Sequence, residues 1–325
     1  MGVALLRRIV LMVVVLWAAT FFSFIFFWQH EIALKGQPAF PAYKHWLGGL
    51  FTGSSYQSLY LPRFSLWHVQ FQTALGHTAA LLFVATLFVV PLSMLMGWIA
   101  ARRRDGVADV ALRTVSYMAW AVPAFLLGLL IALAATTLGN ARGLGPFPVG
   151  GWPDTCIPGF GLGAGTFQHC PGAGTGPVYV WNVFRYMALP GLALALAFLG
   201  LHGRHLRSAV LETVDAPFVT TARAKGLTET RIFFRHVLRI TLAAWVTGLL
   251  ADVGAIFGAA LAVDAVFKLN GMGTLLVSEF PIDSYHPIDV YSVNLLLLIT
   301  GALVLLSTAL ADTATAFLDP RRRSE

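Results

Sequence analysis

Charge is scarce in this chain. Only 11% of its residues are Asp, Glu, Lys or Arg, against about 25% in an ordinary soluble domain, which excludes a surface built mainly to face water. Cysteine is scarcer still: Cys156 and Cys170 are the whole complement, too few for a disulfide scaffold. No Cys/His cluster has the spacing of a metal site. No G-x-x-x-x-G-K-[ST] stretch occurs, so the chain lacks a conventional phosphate cradle and is not itself an ATP motor. No nucleophile elbow occurs either, and His77, His202, His205 and His236 are not spaced as a metal triad, so nothing marks an enzyme. Internal repeats are also missing, and with them the signature of many secondary transporters. "GFGLGAG" from Gly159 imitates a dinucleotide fingerprint, but no strand pattern precedes it and its surroundings read as loop.

Apolar residues are abundant: 57% of the 325 residues are hydrophobic, and the mean hydropathy is +0.73. A membrane-crossing helix needs about 20 apolar residues to cover roughly 30 Å of hydrocarbon. Six stretches qualify: Ile9 to Trp28, Ala74 to Ala101, Asp109 to Leu138, Trp181 to Gly203, Val237 to Val263 and Val290 to Leu318. The fold class expected is an all-α integral membrane protein with six transmembrane helices. The first run is aromatic and no small-residue cleavage site follows it, so it reads as an uncleaved anchor. Asp109 reads as an N-cap. Pro91, Pro123 and Pro190 should each bend a span.

The organisation expected is 1–28 as the N-terminal cytoplasmic end and first span, then 29–73 as an extracytoplasmic loop. Residues 74–318 form a five-helix transmembrane domain with an extracytoplasmic loop at 139–180 and a cytoplasmic segment at 204–236; 319–325 is a cytoplasmic tail. Sixteen of the 22 Lys and Arg residues fall on one face of that arrangement. The positive-inside rule therefore puts both termini in the cytoplasm and makes the net charge of +7 a topology signal rather than a nucleic-acid footprint.

One basic stretch, Arg204 to Thr247, is too long and too punctuated for a plain connecting loop. Glu212, Asp215 and Pro217 announce a short helix. Gly226 can end it through a left-handed turn, and Thr228 can cap a second helix with Glu229 in its first turn. Ile232, Phe233, Val237 and Leu238 then form an apolar stripe opposed by Arg231, Arg235 and Arg239. Two short helices around a glycine corner would present a knob to a soluble partner. Elsewhere, Asp252 is a carboxylate in the middle of a span; it either lines a path or is a structural, hydrogen-bonded group. Cys156 and Cys170 lie in a loop on the oxidising side. A disulfide there would close about 15 residues and stabilise by roughly 3 kcal/mol; the alternative is two free thiols.

"ARAKGL" (Ala222 to Leu227), with "RHLRS" from Arg204 before it and "RHVLR" (Arg235 to Arg239) after it, resembles the coupling segment of bacterial ATP-binding-cassette (ABC) import permeases. The branch it resembles is the oligopeptide/dipeptide (OppB/DppB-like) one. "YKHWLGGL" from Tyr43, "VPAF" from Val122, "LPGLAL" from Leu189, "VDAVF" from Val263 and "LDPR" ending at Arg321 match in the same order. There are departures: Thr220, Thr221 and Ala222 stand where the branch carries a glutamate-bearing motif, and Ala244 and Asn270 replace prolines.

The resemblance implies the type I ABC importer permease fold in a bacterial inner membrane. It implies half of a peptide path shared with a second permease subunit, a paralogue. It also implies two cytoplasmic ATP-binding subunits that use ATP and Mg, and an extracytoplasmic substrate-binding protein. Thr221, Ala222, Arg223, Ala224, Lys225, Gly226 and Leu227 would make the ATPase contact, with Ala222, Ala224 and Gly226 as its close-approach surface and Arg223 and Lys225 meeting acidic groups. Asp264 fits an acidic position at an outer gate. No cofactor or metal is expected on this chain. Nickel, a nickel chelate or glutathione is the alternative cargo, and an ion-coupled secondary transporter the alternative class.

Overall fold

The computed structural model describes residues 2–31, 38–52, 64–139, 143–144, 146–153, 155–156, 168–169, 176–278 and 290–318. In chain order these form α1 (Gly2–Glu31), α2 (Ala39–Thr52), α3 (Phe64–Arg102), α4 (Val107–Ala121) and α5 (Ala124–Leu138). Two minimal antiparallel hairpins follow, β1 (Gly143–Leu144) with β2 (Phe147–Pro148) and β3 (Thr155–Cys156) with β4 (Gln168–His169). Then come α6 (Pro177–Val214), α7 (Pro217–Ala224), α8 (Glu229–Ile232), a π-helical turn at Phe233–Val237, α9 (Leu238–Ala251), α10 (Val253–Phe267), α11 (Met272–Ser278) and α12 (Val290–Leu318). Four helices among the described residues are long and apolar enough to cross a membrane, and two interrupted pairs, α4 with α5 and α10 with α11, bring the number up to six.

The all-α reading holds, with corrections at the breaks. The stretch 29–73 is not only loop: it holds α2 and the start of α3. Pro91 and Pro190 sit inside continuous helices, whereas Pro123 splits the third span, and α4 and α5 meet at 108°. The residue before a proline is pushed out of the helical region, and Val122 is extended at φ −94°, ψ 130°. The fifth span is likewise divided at Asp252. Asp109 is not an N-cap; Gly106 holds that position without a side-chain bond, and Asp109 lies in the first turn of α4. Glu212 and Asp215 belong to the end of α6, and Ala216 precedes α7.

The chain divides into two compact units. In the first, residues 1–77 and 270–306, α1, α2 and α12 share an aromatic core of Phe24, Trp28, Tyr43, Trp46, Val290 and Leu295. Phe24 stacks on Trp28 at 5.4 Å and meets the edge of Tyr43 at 5.3 Å. Tyr43 and Trp46, three apart on one face of α2, explain why this segment is a helix laid against others rather than a loop. The Tyr43 hydroxyl finds its partner inside the unit, 3.2 Å from Thr20 Oγ1.

The second unit, residues 78–269 and 307–325, is built on α6. One apolar cluster gathers Leu81, Val84, Met187, Leu194, Val263 and Phe267 from α3, α6 and α10, with Trp152 from the segment after β2. A second cluster joins Leu206 and Val210 of α6 to Val219, Ala222, Ile232, Phe233, Val237 and Trp245. Close helix approach is set by small residues, as membrane helices require. A β-carbon at Gly200 would strike the Ser116 carbonyl of α4, and one at Gly203 would come within 2.5 Å of Met96 Sδ.

Candidate functional site

The glycine corner forms as the local chemistry demands. An eight-residue helix such as α7 is too short to stand alone in water, so it depends on its neighbours. Val219, fully buried, and Ala222, 7% exposed, enter the second apolar cluster; burying a valine side chain is worth about 1.5–3 kcal/mol. The end of α7 is then closed by paired backbone bonds. Gly226 N–H donates to the Arg223 carbonyl at 2.9 Å and Leu227 N–H to the Ala222 carbonyl at 3.3 Å. Leu227 packs on the same cluster as Ala222. This is a Schellman closure, which needs a left-handed residue at the corner, and Gly226 supplies it at φ +76°.

Beyond the corner, Thr228 caps α8: its Oγ1 accepts from Arg231 N–H at 3.4 Å. Ile232, Phe233, Val237 and Leu238 are all buried, and Arg231, Arg235 and Arg239 are exposed, as the periodicity predicts. The π-turn carries this stripe from α8 into α9 without a break.

The structure sorts the seven corner residues. Thr221, Arg223, Ala224, Lys225 and Gly226 are exposed, whereas Ala222 points into the cluster and Leu227 is half-buried. Ala222 is therefore a packing residue, and of the three residues expected at a close-approach surface only Ala224 and Gly226 are exposed. Arg223 already has an acidic partner: its Nε donates to Glu229 Oε1 at 2.7 Å and its Nη2 to Oε2 at 3.3 Å. That hydrogen bond holds the Glu229 carboxyl below its ordinary range and raises the Arg223 guanidinium further. Both groups are largely exposed, at 40% and 50%, so the pair is worth about 0–1 kcal/mol.

Two further contacts join residues that no local pattern pairs. Arg102, at the end of α3, stacks on Trp98 at 4.8 Å and donates to Thr230 Oγ1 at 2.9 Å. Arg207 on α6 makes a forked bond to Asp109, from Nε to Oδ1 at 2.9 Å and from Nη2 to Oδ2 at 2.7 Å. The available signal was composition: Asp105 and Asp109 are the only acids in an Arg-rich stretch from Arg102 to Arg113.

Asp252 stands at the corner between α9 and α10, where its N–H is shared between the carbonyls of Gly248 and Leu249, each at 3.2 Å. Its carboxylate is 34% exposed and faces Nε2 of the fully buried His202 at 3.8 Å. Neither ring nitrogen of His202 has a hydrogen-bond partner among the described residues, and the Trp245 indole N–H donates instead to the His202 carbonyl at 2.8 Å. Asp264 is fully buried in the last turn of α10, its carbonyl accepting from Leu269 N–H at 3.2 Å. Cys156 lies on β3, but Cys170 is outside the described residues. No group of three or more His, Cys, Asp or Glu among the described residues could hold a metal ion.

Residues 93–324 match the family described as binding-protein-dependent transport system inner membrane component. Among curated relatives, the chain is 30% identical to the di/tripeptide transport system permease protein DppB of Pseudomonas aeruginosa, covering 91% of this chain and 84% of that one. It is 26% identical to the oligopeptide transport system permease protein AppB of Bacillus subtilis, over 87% of this chain and 80% of that one. The oligopeptide transport system permease protein OppB of Mycobacterium bovis is 29% identical, over 77% and 70%.

Proposed function

Because this chain belongs to the family of binding-protein-dependent transport system inner membrane components, we propose that it is the permease subunit of an ATP-driven importer of dipeptides or oligopeptides. It is a multi-pass protein of the bacterial inner membrane. On this reading it forms half of the translocation path with a second permease subunit. ATP and Mg are used by two separate cytoplasmic ATPase subunits, and an extracytoplasmic binding protein delivers the peptide. Relatives named for di/tripeptide and oligopeptide transport support the cargo.

The observation that carries the mechanism is the corner at Gly226. It is a rigidly closed, exposed projection, held from behind by Val219 and Ala222 and flanked by the cations Arg223 and Lys225. A hydrophobically seated knob with a polar tip can enter a cleft of a soluble partner and pass force to the helices behind it. Ala224 and Gly226 allow close approach, Lys225 offers a charge to an acidic cleft, and Arg223 shares its charge with Glu229. On the same reading Asp252, at the α9–α10 corner, lines the path, and Asp264 frames its outer gate. Purifying the assembled complex and identifying its co-purifying subunits and trapped ligand tests the assignment. ATPase and binding-protein subunits with a peptide are expected; isolation with a metal chelate, or without an ATPase, would contradict it.

A further inference from the structure

Asp109 is 2% exposed, a costly position for a carboxylate. It accepts the fork of Arg207 at 2.9 and 2.7 Å, and the Asp105 N–H at 3.1 Å. Withdrawing two charges from water often costs as much as their attraction returns, and well-packed apolar residues of similar volume commonly serve stability as well or better. Stability alone is therefore a poor reason for this pair; holding one particular arrangement is a better one.

Its location says which arrangement. Asp109 is in the first turn of α4, and Arg207 lies two turns before the end of α6, which leads on into α7 and the Gly226 corner. At the other end of the same α3–α4 turn, Arg102 reaches Thr230 on α8. The turn is thus gripped from both sides of the corner. Beyond α4 the span is broken at Pro123, so α4 is a separate rigid piece meeting α5 at 108°.

We propose that Asp109 and Arg207 are positioning residues of the transport cycle, whose ion pair makes α4 move with α6 and the corner. A push on the corner then arrives at the broken α4–α5 span as a displacement of α4. This rests on the reading of the corner as the ATPase contact.

The test uses the complete reconstituted importer and reads peptide imported per ATP hydrolysed, normalised to assembled complex. The variants are Asp109→Asn, Arg207→Gln and the apolar pair Asp109→Leu with Arg207→Met. The apolar pair is expected to assemble and hydrolyse ATP, with import per ATP lowered on the order of tenfold, within the usual range of coupling between two sites. Asp109→Glu, which keeps the charge, is expected to recover most of that ratio. An apolar pair with the native ratio would overturn the proposal. So would variants that lose import only in proportion to lost assembly, since the pair would then be structural. Gly226→Trp, run in parallel, separates the two ideas. If it uncouples and the apolar pair does not, only the relay fails; if neither uncouples, the corner reading fails.

Discussion

Arg223 and Glu229 are joined across the Gly226 corner by two hydrogen bonds, the shorter 2.7 Å. The pair links the last turn of α7 to the first of α8, and so fixes the opening of the corner with side chains as well as backbone. Because Glu229 binds its proton less readily when folded, the contribution of the pair is present at neutral pH. It disappears only as the pH falls below the ordinary carboxylate range and through the lowered folded value. Glu229→Gln is expected to cost about 0–1 kcal/mol at neutral pH and to make no difference in strong acid. Thermal unfolding of the detergent-solubilised complex at the two pH values checks this; an equal loss at both would exclude the ion pair as the cause.

Gly226 is surrounded by open space, with nothing within 4 Å of where a β-carbon would stand, yet its φ is +76°. The cost of Gly226→Ala is therefore backbone strain, about 1–2 kcal/mol, with little loss of import. Gly226→Trp carries the same strain and adds bulk at the proposed contact. It is expected to abolish import while ATP hydrolysis continues. Uptake measured beside hydrolysis in the same vesicles decides it, and normal uptake by the Trp variant would sink the contact.

Gly200 is the opposite case. A β-carbon there meets the Ser116 backbone and the Trp120 Cβ, neither of which can swing away. Gly200→Ala should force α4 and α6 apart and destabilise by about 1–3 kcal/mol. Gly258→Ala, where nothing lies within 4 Å, should be neutral or slightly stabilising. Melting of the two variants in detergent compares them directly.

Much of this is legible in the residues alone. The Gly226 turn, the Thr228 cap and the buried stripe from Ile232 to Leu238 depend on local chemistry, and each stands where the residues place it. The last described helix, Val290–Leu318, falls on the apolar run that marks it. The breaks are less legible. Val90–Pro91 runs through a continuous helix, while the same dipeptide at Val122–Pro123 ends one; the difference lies in packing, which local sequence does not contain. The same holds for Asp109 and Arg207, 98 residues apart, and for His202 and Asp252 across α6 and the α9–α10 corner. Ala222 reads as part of an exposed motif in the sequence because neighbours in a motif need not share a helix face.

The loop cysteines give a simple check. Intact mass measured without reductant is expected to be two hydrogens lower than the reduced chain, from a Cys156–Cys170 bond that stabilises by roughly 3 kcal/mol. Two alkylatable thiols would refute the bond.

On the proposed reading this chain forms half of the membrane path and a separate ATPase is the motor. Peptide uptake into proteoliposomes, assembled with and without the ATPase subunits, tests it most directly. Uptake is expected only when the ATPase subunits, ATP, Mg and the binding protein are all present. Uptake driven by an ion gradient in vesicles lacking the ATPase would contradict it.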